Sequence, residues 1–131
     1  MILIFKKGES KEISENFNIN EFHCQCDFEA CYSTQLSIRF LASAQSSRVD
    51  FGKRIIVTSG NRCQLRNQEL KDMFGSGGRV SKTSSHLIGD AADFTCEKRS
   101  DLDELEQVLR KHFKYVKRYK THIHADTRLL K

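Results

Sequence analysis

The spacing of apolar residues predicts strands and helices in the first half of the chain. Residues 1–5 form an apolar run of strand length, and residues 54–59 form a β-branched run that ends at a glycine. From 33 to 50 the apolar residues recur at helical spacing, and Gly52 follows as a terminator. We therefore predict two strands with the main core helix between them. A polar stretch covers residues 6–20, and the asparagine caps and spaced apolar residues of 13–22 predict a loop with a short helical turn.

The stretch after the second strand predicts a helix and then a loop. Residues 63–73 have helical spacing, with Leu65, Leu70 and Met73 facing inward. The glycine-rich sequence that follows cannot continue a helix, so we predict a loop that runs to Ser85.

The remainder of the chain predicts three strands and one helix. The strands are predicted at 90–95, 115–119 and 122–126. An acidic start at 100–104 precedes the helix. Its apolar face contains Leu102, Leu105, Val108, Leu109 and Phe113. The whole pattern predicts an α+β fold over residues 1–131, a single small domain whose mostly antiparallel sheet carries packed helices.

Composition and charge narrow the possible partners without deciding the function. The chain has 38% apolar residues, 30% charged residues and a formal net charge of +5. Its basic residues are scattered among acids, so we predict no nucleic-acid partner. No stretch approaches the roughly 20 apolar residues that cross a bilayer, and we predict no membrane partner. A modestly basic surface also suits an anionic polymer such as a cell wall.

The chain contains five cysteines, an odd number, and its first residues lack the features of a secretion signal. We therefore expect reduced thiols rather than a disulfide framework. Cys24, Cys26 and Cys31 lie close together in sequence, with His23 beside them, and offer a possible second metal site. Zinc sites built from cysteines usually use two separated pairs or histidine partners, which favours ordinary thiols. Both interpretations stay open.

Two segments, 84–93 and 121–126, contain the residue types that bind a catalytic metal. A catalytic zinc takes three ligands of the imidazole and carboxylate type and keeps one position for water, whose pKa the metal lowers. Alternate side chains of a strand share a face. His122, His124 and Asp126 can therefore point into one site.

The first segment contributes a further histidine and carboxylate. His86 lies at the end of the predicted loop and Asp93 on the strand that follows. Gly89 and two alanines between them leave room for close backbone packing. A single His or Asp is more often an ordinary surface or core residue than a metal ligand, so spacing by itself leaves the metal site undecided.

A longer motif occupies the first segment: Ser84-x-His86-x-x-Gly89-x-Ala91-x-Asp93. It resembles the signature of the zinc D-Ala-D-Ala metallopeptidases. That family includes phage L-alanyl-D-glutamate endopeptidases and shares its fold with the hedgehog signalling domain. The resemblance covers residues 13–128 and is to a small branch of the family often found in phages and prophages. The further motifs that carry it are, in chain order, Ser14-Glu15-Asn16-Phe17, Glu21-Phe22 with the cysteines, Thr58-Ser59-Gly60-Asn61-Arg62-Cys63, Asn67 and His124-Ala125-Asp126-Thr127-Arg128. Asn61 replaces the aromatic residue that is usual there.

The resemblance implies one Zn²⁺ ion held by His86, Asp93 and His124. It also implies that Arg62 lies near the metal, where a guanidinium can bind a substrate carboxylate or carbonyl oxygen and stabilise an oxyanion. A structural salt bridge is the alternative role for Arg62. Ser84 is expected either to contact substrate and orient the loop or to be a simple turn residue.

The general base departs from the family pattern. Many relatives place Glu or Asp three residues before the last zinc histidine, and here that residue is Thr121. Threonine cannot accept a proton from the attacking water. The two candidates are His122 and Asp126. An imidazole suits the role of a base or of an oxyanion stabiliser, which are the two roles open to His122. Asp126 is a candidate base too, and its alternative role is to orient a metal ligand. The sequence does not separate them.

These features favour a zinc metallopeptidase, a hydrolase that cleaves amide bonds in peptidoglycan peptides with metal-activated water. It would be a D-Ala-D-Ala carboxypeptidase or an endolysin-like endopeptidase. The likeness to phage domains and the missing secretion signal favour the endopeptidase. We expect a monomer made in the cytoplasm that acts on the cell wall after lysis or phage-mediated release.

Two other functions compete with this hypothesis. The first is a non-catalytic zinc-containing module of the same fold, such as a phage particle component, which would not need a general base. The second is a nucleic-acid-binding zinc protein built on Cys24, Cys26 and Cys31. That function would leave His86 and Asp93 unexplained.

Overall fold

The computed structural model describes residues 1–74 and 89–127. Ser84, His86 and the predicted glycine-rich loop lie outside the described residues. Within the described part of the chain, no helix is long and apolar enough to cross a membrane.

The N-terminal part of the chain forms two small antiparallel pairs of strands. Strand β1 (Ile2–Lys6) pairs with β4 (Ser33–Ser37), and β2 (Glu12–Ser14) pairs with β3 (Phe17–Asn18). A 3-10 turn over Ile19–Phe22 follows β3 and confirms the predicted helical turn with its asparagine cap. The hairpin was predicted as a loop, because strands of two or three residues are too short to show an alternating pattern.

Residues 33–37 correct the predicted start of the main helix. They form β4, and helix α1 covers Ile38–Phe51. Pairing with β1 satisfies the backbone of this stretch, and Oγ of Ser37 accepts a hydrogen bond of 3.1 Å from the Phe40 N–H, which caps the helix. Local spacing cannot show a boundary that depends on a distant strand. Gly52 ends α1 with a φ of 71°, as predicted.

A four-stranded antiparallel sheet contains the later strands. They are β5 (Ile55–Ser59), β6 (Ala91–Cys96), β7 (Tyr115–Arg118) and β8 (Ile123–Asp126), in the order β5-β6-β8-β7. The four predicted strands are confirmed. Because β8 lies between β6 and β7, residues from separate parts of the sequence become cross-strand neighbours at the centre of this sheet.

The remaining helices differ in how well their inward faces were predicted. Helix α3 (Leu102–His112) packs on α1, and its predicted apolar face, including Phe113 beyond its end, is buried. Helix α2 (Gln64–Phe74) is present, but the prediction that Leu65 and Met73 face inward is wrong, since they are 49% and 68% exposed. Asn67 is buried there instead, because it bonds Arg62.

The core is built around phenylalanine rings from separate elements. The Phe40 ring lies 5.9 Å from that of Phe22, 6.2 Å from that of Phe94 and 5.7 Å from that of Phe113 between centroids. Aromatic pairs at such separations contribute beyond the area they bury. Helices thus pack on antiparallel sheets through a shared apolar core, and the predicted α+β fold class is confirmed.

Candidate metal centre

The register of the sheet brings Asp93 and His124 side by side. Asp93 on β6 lies directly opposite His124 on β8 in the antiparallel pairing. Cross-strand partners have closely spaced side chains on the same face. Here Nδ1 of His124 lies 3.2 Å from Oδ1 of Asp93, and both side chains are mostly buried. Two residues that are far apart in sequence therefore meet at the centre of the sheet.

Asp126 contacts the other nitrogen of the same ring. Its Oδ2 atom lies 2.7 Å from Nε2 of His124, and its side chain is 0% exposed. A carboxylate only accepts hydrogen bonds, so the proton in this contact belongs to Nε2. Burial by itself lowers the pKa of His124, but the hydrogen bonds and charges of Asp126 and Asp93 outweigh it and raise the pKa above the usual histidine value.

This arrangement fits a divalent metal ion. Ligand atoms about 2.0–2.2 Å from a tetrahedral zinc lie about 3.3–3.6 Å from each other, close to the 3.2 Å between Nδ1 of His124 and Oδ1 of Asp93. The contact between Nε2 and Asp126 then corresponds to the carboxylate–histidine–metal arrangement that fixes the ligand's orientation. His86, the third ligand expected from the sequence, lies outside the described residues.

Arg62 lies at the connection between β5 and α2, within electrostatic reach of Asp93. Its Nη1 atom donates a hydrogen bond of 3.0 Å to Oδ1 of Asn67. Burial lowers the pKa of Arg62, while the negative charge of Asp93 acts in the opposite direction. Its buried Nε atom has no hydrogen-bond partner in the described part of the chain. A half-buried guanidinium with a buried, unused donor is suited to bind a carbonyl or carboxylate oxygen.

Asn61, which replaces the aromatic residue usual in the resembling family, has a structural role. It is buried, and its Oδ1 atom accepts a hydrogen bond of 3.1 Å from the Gln35 N–H. Its own N–H donates to the Phe22 carbonyl at 2.8 Å. These bonds fix the backbone immediately before Arg62 to β4 and to the 3-10 turn.

The entry to β6 is held from several sides. The Arg39 guanidinium binds the buried Asp90 carboxylate, with Nη2 and Oδ2 2.7 Å apart. Gly89 has a φ of +75°, and a Cβ atom there would lie 2.3 Å from the Gln35 carbonyl oxygen. The expected close backbone packing at Gly89 is confirmed, and it positions the strand that carries Asp93.

The structure places His122 against the turn between β7 and β8. Its ring stacks on Tyr119 with centroids 4.8 Å apart, and its Nδ1 atom lies 3.2 Å from Oγ1 of Thr121. His122 precedes β8, which begins at Ile123. Asp126, the other candidate base, contacts the ring of His124 directly.

A second group of possible ligands includes a residue that the sequence did not connect with the others. The sulfur atoms of Cys24, Cys26, Cys31 and Cys63 all lie within 4.8 Å of one another. All five cysteines are free thiols, as expected. His23 is not part of this cluster, because its Nε2 atom contacts the Glu9 carbonyl at 2.7 Å and its Nδ1 atom contacts Oγ1 of Thr34.

Comparison with known protein families decides the class. The family model described as Peptidase M15 matches residues 15–126. The chain belongs to this family. Peptidase M15 proteins are zinc-dependent metallopeptidases that act on peptidoglycan peptides, so the chain is assigned to the metallopeptidases. No curated protein and no solved structure matches it.

The range matched by the Peptidase M15 model contains the site residues described above. Arg62, Asp93, His124 and Asp126 all lie within residues 15–126. The four clustered cysteines also lie in this range. The range matched by the family model thus contains both the cross-strand carboxylate–histidine pair and the cysteine cluster.

Proposed function

We propose that this protein is a zinc-dependent peptidase that hydrolyses amide bonds in peptidoglycan peptides. The observation that carries the proposal is the pairing of Asp93 with Nδ1 of His124 at 3.2 Å while Asp126 occupies Nε2. Together with His86 these residues supply the two imidazoles and one carboxylate of a typical catalytic zinc site. When bound, the ion acts as a Lewis acid that activates water and polarises the substrate carbonyl.

Asp126 is assigned a positioning role in this proposal. Its side chain is fully buried and its Oδ2 atom is engaged with His124 at 2.7 Å. Such a partner fixes the tautomer and the ring orientation of a ligand and raises its basicity. Asp126 therefore makes His124 a better ligand, and we assign the general base to His122, the other candidate for that role.

Arg62 is assigned to the substrate. The Nε atom of its guanidinium is a buried donor without a partner among the described residues. The negative charge of Asp93 acts on the same guanidinium and favours its charged form. A guanidinium beside the metal ligands can hold a carbonyl oxygen as it gains negative charge, or a free terminal carboxylate. The first role suits an endopeptidase and the second a carboxypeptidase. Because of the likeness to phage domains, we favour an endolysin-like endopeptidase, with Ser84 as a further substrate contact.

A non-catalytic zinc-binding module of the same fold is the second candidate. It is favoured by Thr121 at the position where many relatives carry an acid, and by the engagement of Asp126 with His124. If His122 does not act as a base, the site would hold a metal and a ligand without turnover.

The test combines metal content with product release from purified peptidoglycan. We expect the wild type to bind zinc at this centre and to release peptides, and His86→Ala and Asp93→Asn to lose both. His112→Ala is the matched control, since His112 pairs with Asp50 on the surface, with Nε2 and Oδ2 3.0 Å apart. Released D-alanine identifies a carboxypeptidase, and new amino termini within stem peptides or crosslinks identify an endopeptidase. Zinc binding without release from several wall types would overturn the peptidase assignment in favour of the binding module.

A further inference from the structure

The four clustered cysteines have the spacing of ligands around one metal ion. Sγ of Cys63 lies 3.8 Å from Sγ of Cys24 and 3.7 Å from Sγ of Cys26. With zinc–sulfur bonds of about 2.3 Å, the sulfur atoms of a tetrahedral site lie about 3.8 Å apart. A disulfide needs a separation of about 2.0 Å, much shorter than either distance. These two distances match a tetrahedral thiolate site, and all four sulfur atoms lie within 4.8 Å of one another.

Hydrogen-bond donors and a cation lie against three of the four sulfur atoms. The Cys63 N–H donates to Sγ of Cys24 at 3.4 Å, and the Arg66 N–H donates to Sγ of Cys63 at 3.3 Å. Nζ of Lys7 lies 3.2 Å from Sγ of Cys26 and 2.8 Å from its carbonyl oxygen. Four thiolates around a divalent ion leave excess negative charge, which donors and a cation of this kind offset.

The part of the chain that carries three of these cysteines has little other support. Residues 23–32 form no helix or strand between the 3-10 turn and β4. Cys24, Cys26 and Cys31 are nevertheless buried, and they form an apolar cluster with Cys63 apart from the phenylalanine core. A metal ion can order such an irregular segment, because its binding energy is also folding energy.

We propose that Cys24, Cys26, Cys31 and Cys63 bind a structural zinc ion, separate from the histidine–carboxylate centre. Four protein ligands close the coordination shell and leave no position for water, so this site is structural rather than catalytic. It ties residues 23–32 to the beginning of α2. Since Cys63 follows Arg62 directly in the chain, the ion also anchors the backbone that carries the Arg62 guanidinium.

The first experiment measures metal in the full-length protein purified under reducing conditions. We expect two zinc ions per chain in the wild type, and the loss of one in Cys31→Ser and in Cys63→Ser. Cys96→Ser is the matched control and keeps both, since Cys96 is as buried as Cys31 but its sulfur contacts the Lys98 carbonyl. His86→Ala should lose the other ion and keep the thiolate-bound one. A wild type whose metal is removed completely by His86→Ala would overturn this proposal.

A second measurement does not depend on the folding of variants. Wild-type protein loaded with Co²⁺ or Cd²⁺ should show thiolate-to-metal charge-transfer absorption, which an all-imidazole and carboxylate site lacks. We expect this absorption to persist in His86→Ala and to be unchanged in Cys96→Ser. Loaded protein without the absorption would overturn the proposal. An intact mass showing that the purified protein contains a disulfide within the cluster would also overturn it. If the cysteines prove not to bind metal, the proposed catalytic centre is unaffected, because it is tested separately by the loss of zinc in His86→Ala.

Discussion

The carboxylate of Asp126 lies directly behind the ring of His124, with Oδ2 of the first 2.7 Å from Nε2 of the second. The opposite nitrogen of that ring faces Asp93. One imidazole thus links a fully buried carboxylate to a partly accessible one. A metal ion beside Nδ1 would be held by an imidazole that is already oriented.

Replacing Asp126 by asparagine should weaken metal binding without preventing it. The amide is similar in shape but cannot supply the negative charge that polarises His124, so we expect zinc affinity to fall by about 10- to 100-fold. Competition with a chromogenic chelator measures this change. Asp103→Asn is the control, because the Asp103 side chain is 86% exposed and its Oδ1 atom accepts a hydrogen bond of 2.8 Å from the Arg118 guanidinium at the surface. Unchanged affinity in Asp126→Asn would contradict the positioning role.

Replacing Gly89 by alanine should be more destabilising than the same change at Gly52. Both glycines have positive φ, which costs an alanine about 1–2 kcal/mol. Only at Gly89 would the new Cβ also meet the backbone of β4, with the Gln35 carbonyl oxygen at 2.3 Å. Such overpacking adds about 1–3 kcal/mol. Urea unfolding of the two variants compares them directly, and equal losses would show that the contact at Gly89 is not rigid.

Replacing Phe40 by alanine should remove much of the stability of the domain. Its ring is 0% exposed and packs against those of Phe22, Phe94 and Phe113. We expect a loss of about 3–5 kcal/mol in the free energy of unfolding. Phe28→Ala, at a ring that is exposed, should cost less than about 1 kcal/mol. Chemical denaturation measures the free energy of unfolding of both variants. Similar losses in the two would contradict the central position of Phe40 in the core.

Replacing Arg62 by lysine should lower activity while leaving zinc at the centre. Lysine retains the charge but not the planar set of donors, and loss of one such donor to an oxyanion costs about 10²- to 10³-fold in kcat. Metal content and kcat/KM on wall peptides separate the two effects. Arg54→Lys is the control, since the Arg54 side chain is 68% exposed. Loss of metal in Arg62→Lys, rather than of rate, would indicate a structural role for this residue.

Replacing Glu106 by glutamine should affect stability only above acidic pH. The hydrogen bond from Arg110 and then that from Arg118 lower the pKa of Glu106, against the opposing effect of burial. A folded-state pKa below the unfolded one stabilises the protein above the unfolded pKa, and the gain is lost as pH falls through the folded pKa. We expect Glu106→Gln to be up to about 1 kcal/mol less stable at neutral pH. Unfolding measured across acidic pH should show the two proteins converging, and a constant difference would assign the effect to packing.

The sequence by itself was sufficient wherever the structural signal is local. The apolar face of α3, the β-branched run of β5 and the glycine that ends α1 are encoded in neighbouring residues, and each appears as predicted. The start of α1 was not predicted, because β4 exists through its pairing with β1 rather than through its own pattern. The prediction of the inward face of α2 was wrong because that face also depends on a tertiary contact. Asn67 lies buried, where it accepts a hydrogen bond from Arg62.

For the candidate sites, the sequence supplied the residue types and the resemblance to a family, whereas only the tertiary structure decided which residues meet. The register of β6 and β8 places Asp93 opposite His124, and the path from β5 to α2 brings Cys63 to three distant cysteines. A metal site depends on distances of a few ångströms between side chains. Residue spacing along a strand determines which of them share a face, but strand pairing and chain reversal determine which of them touch.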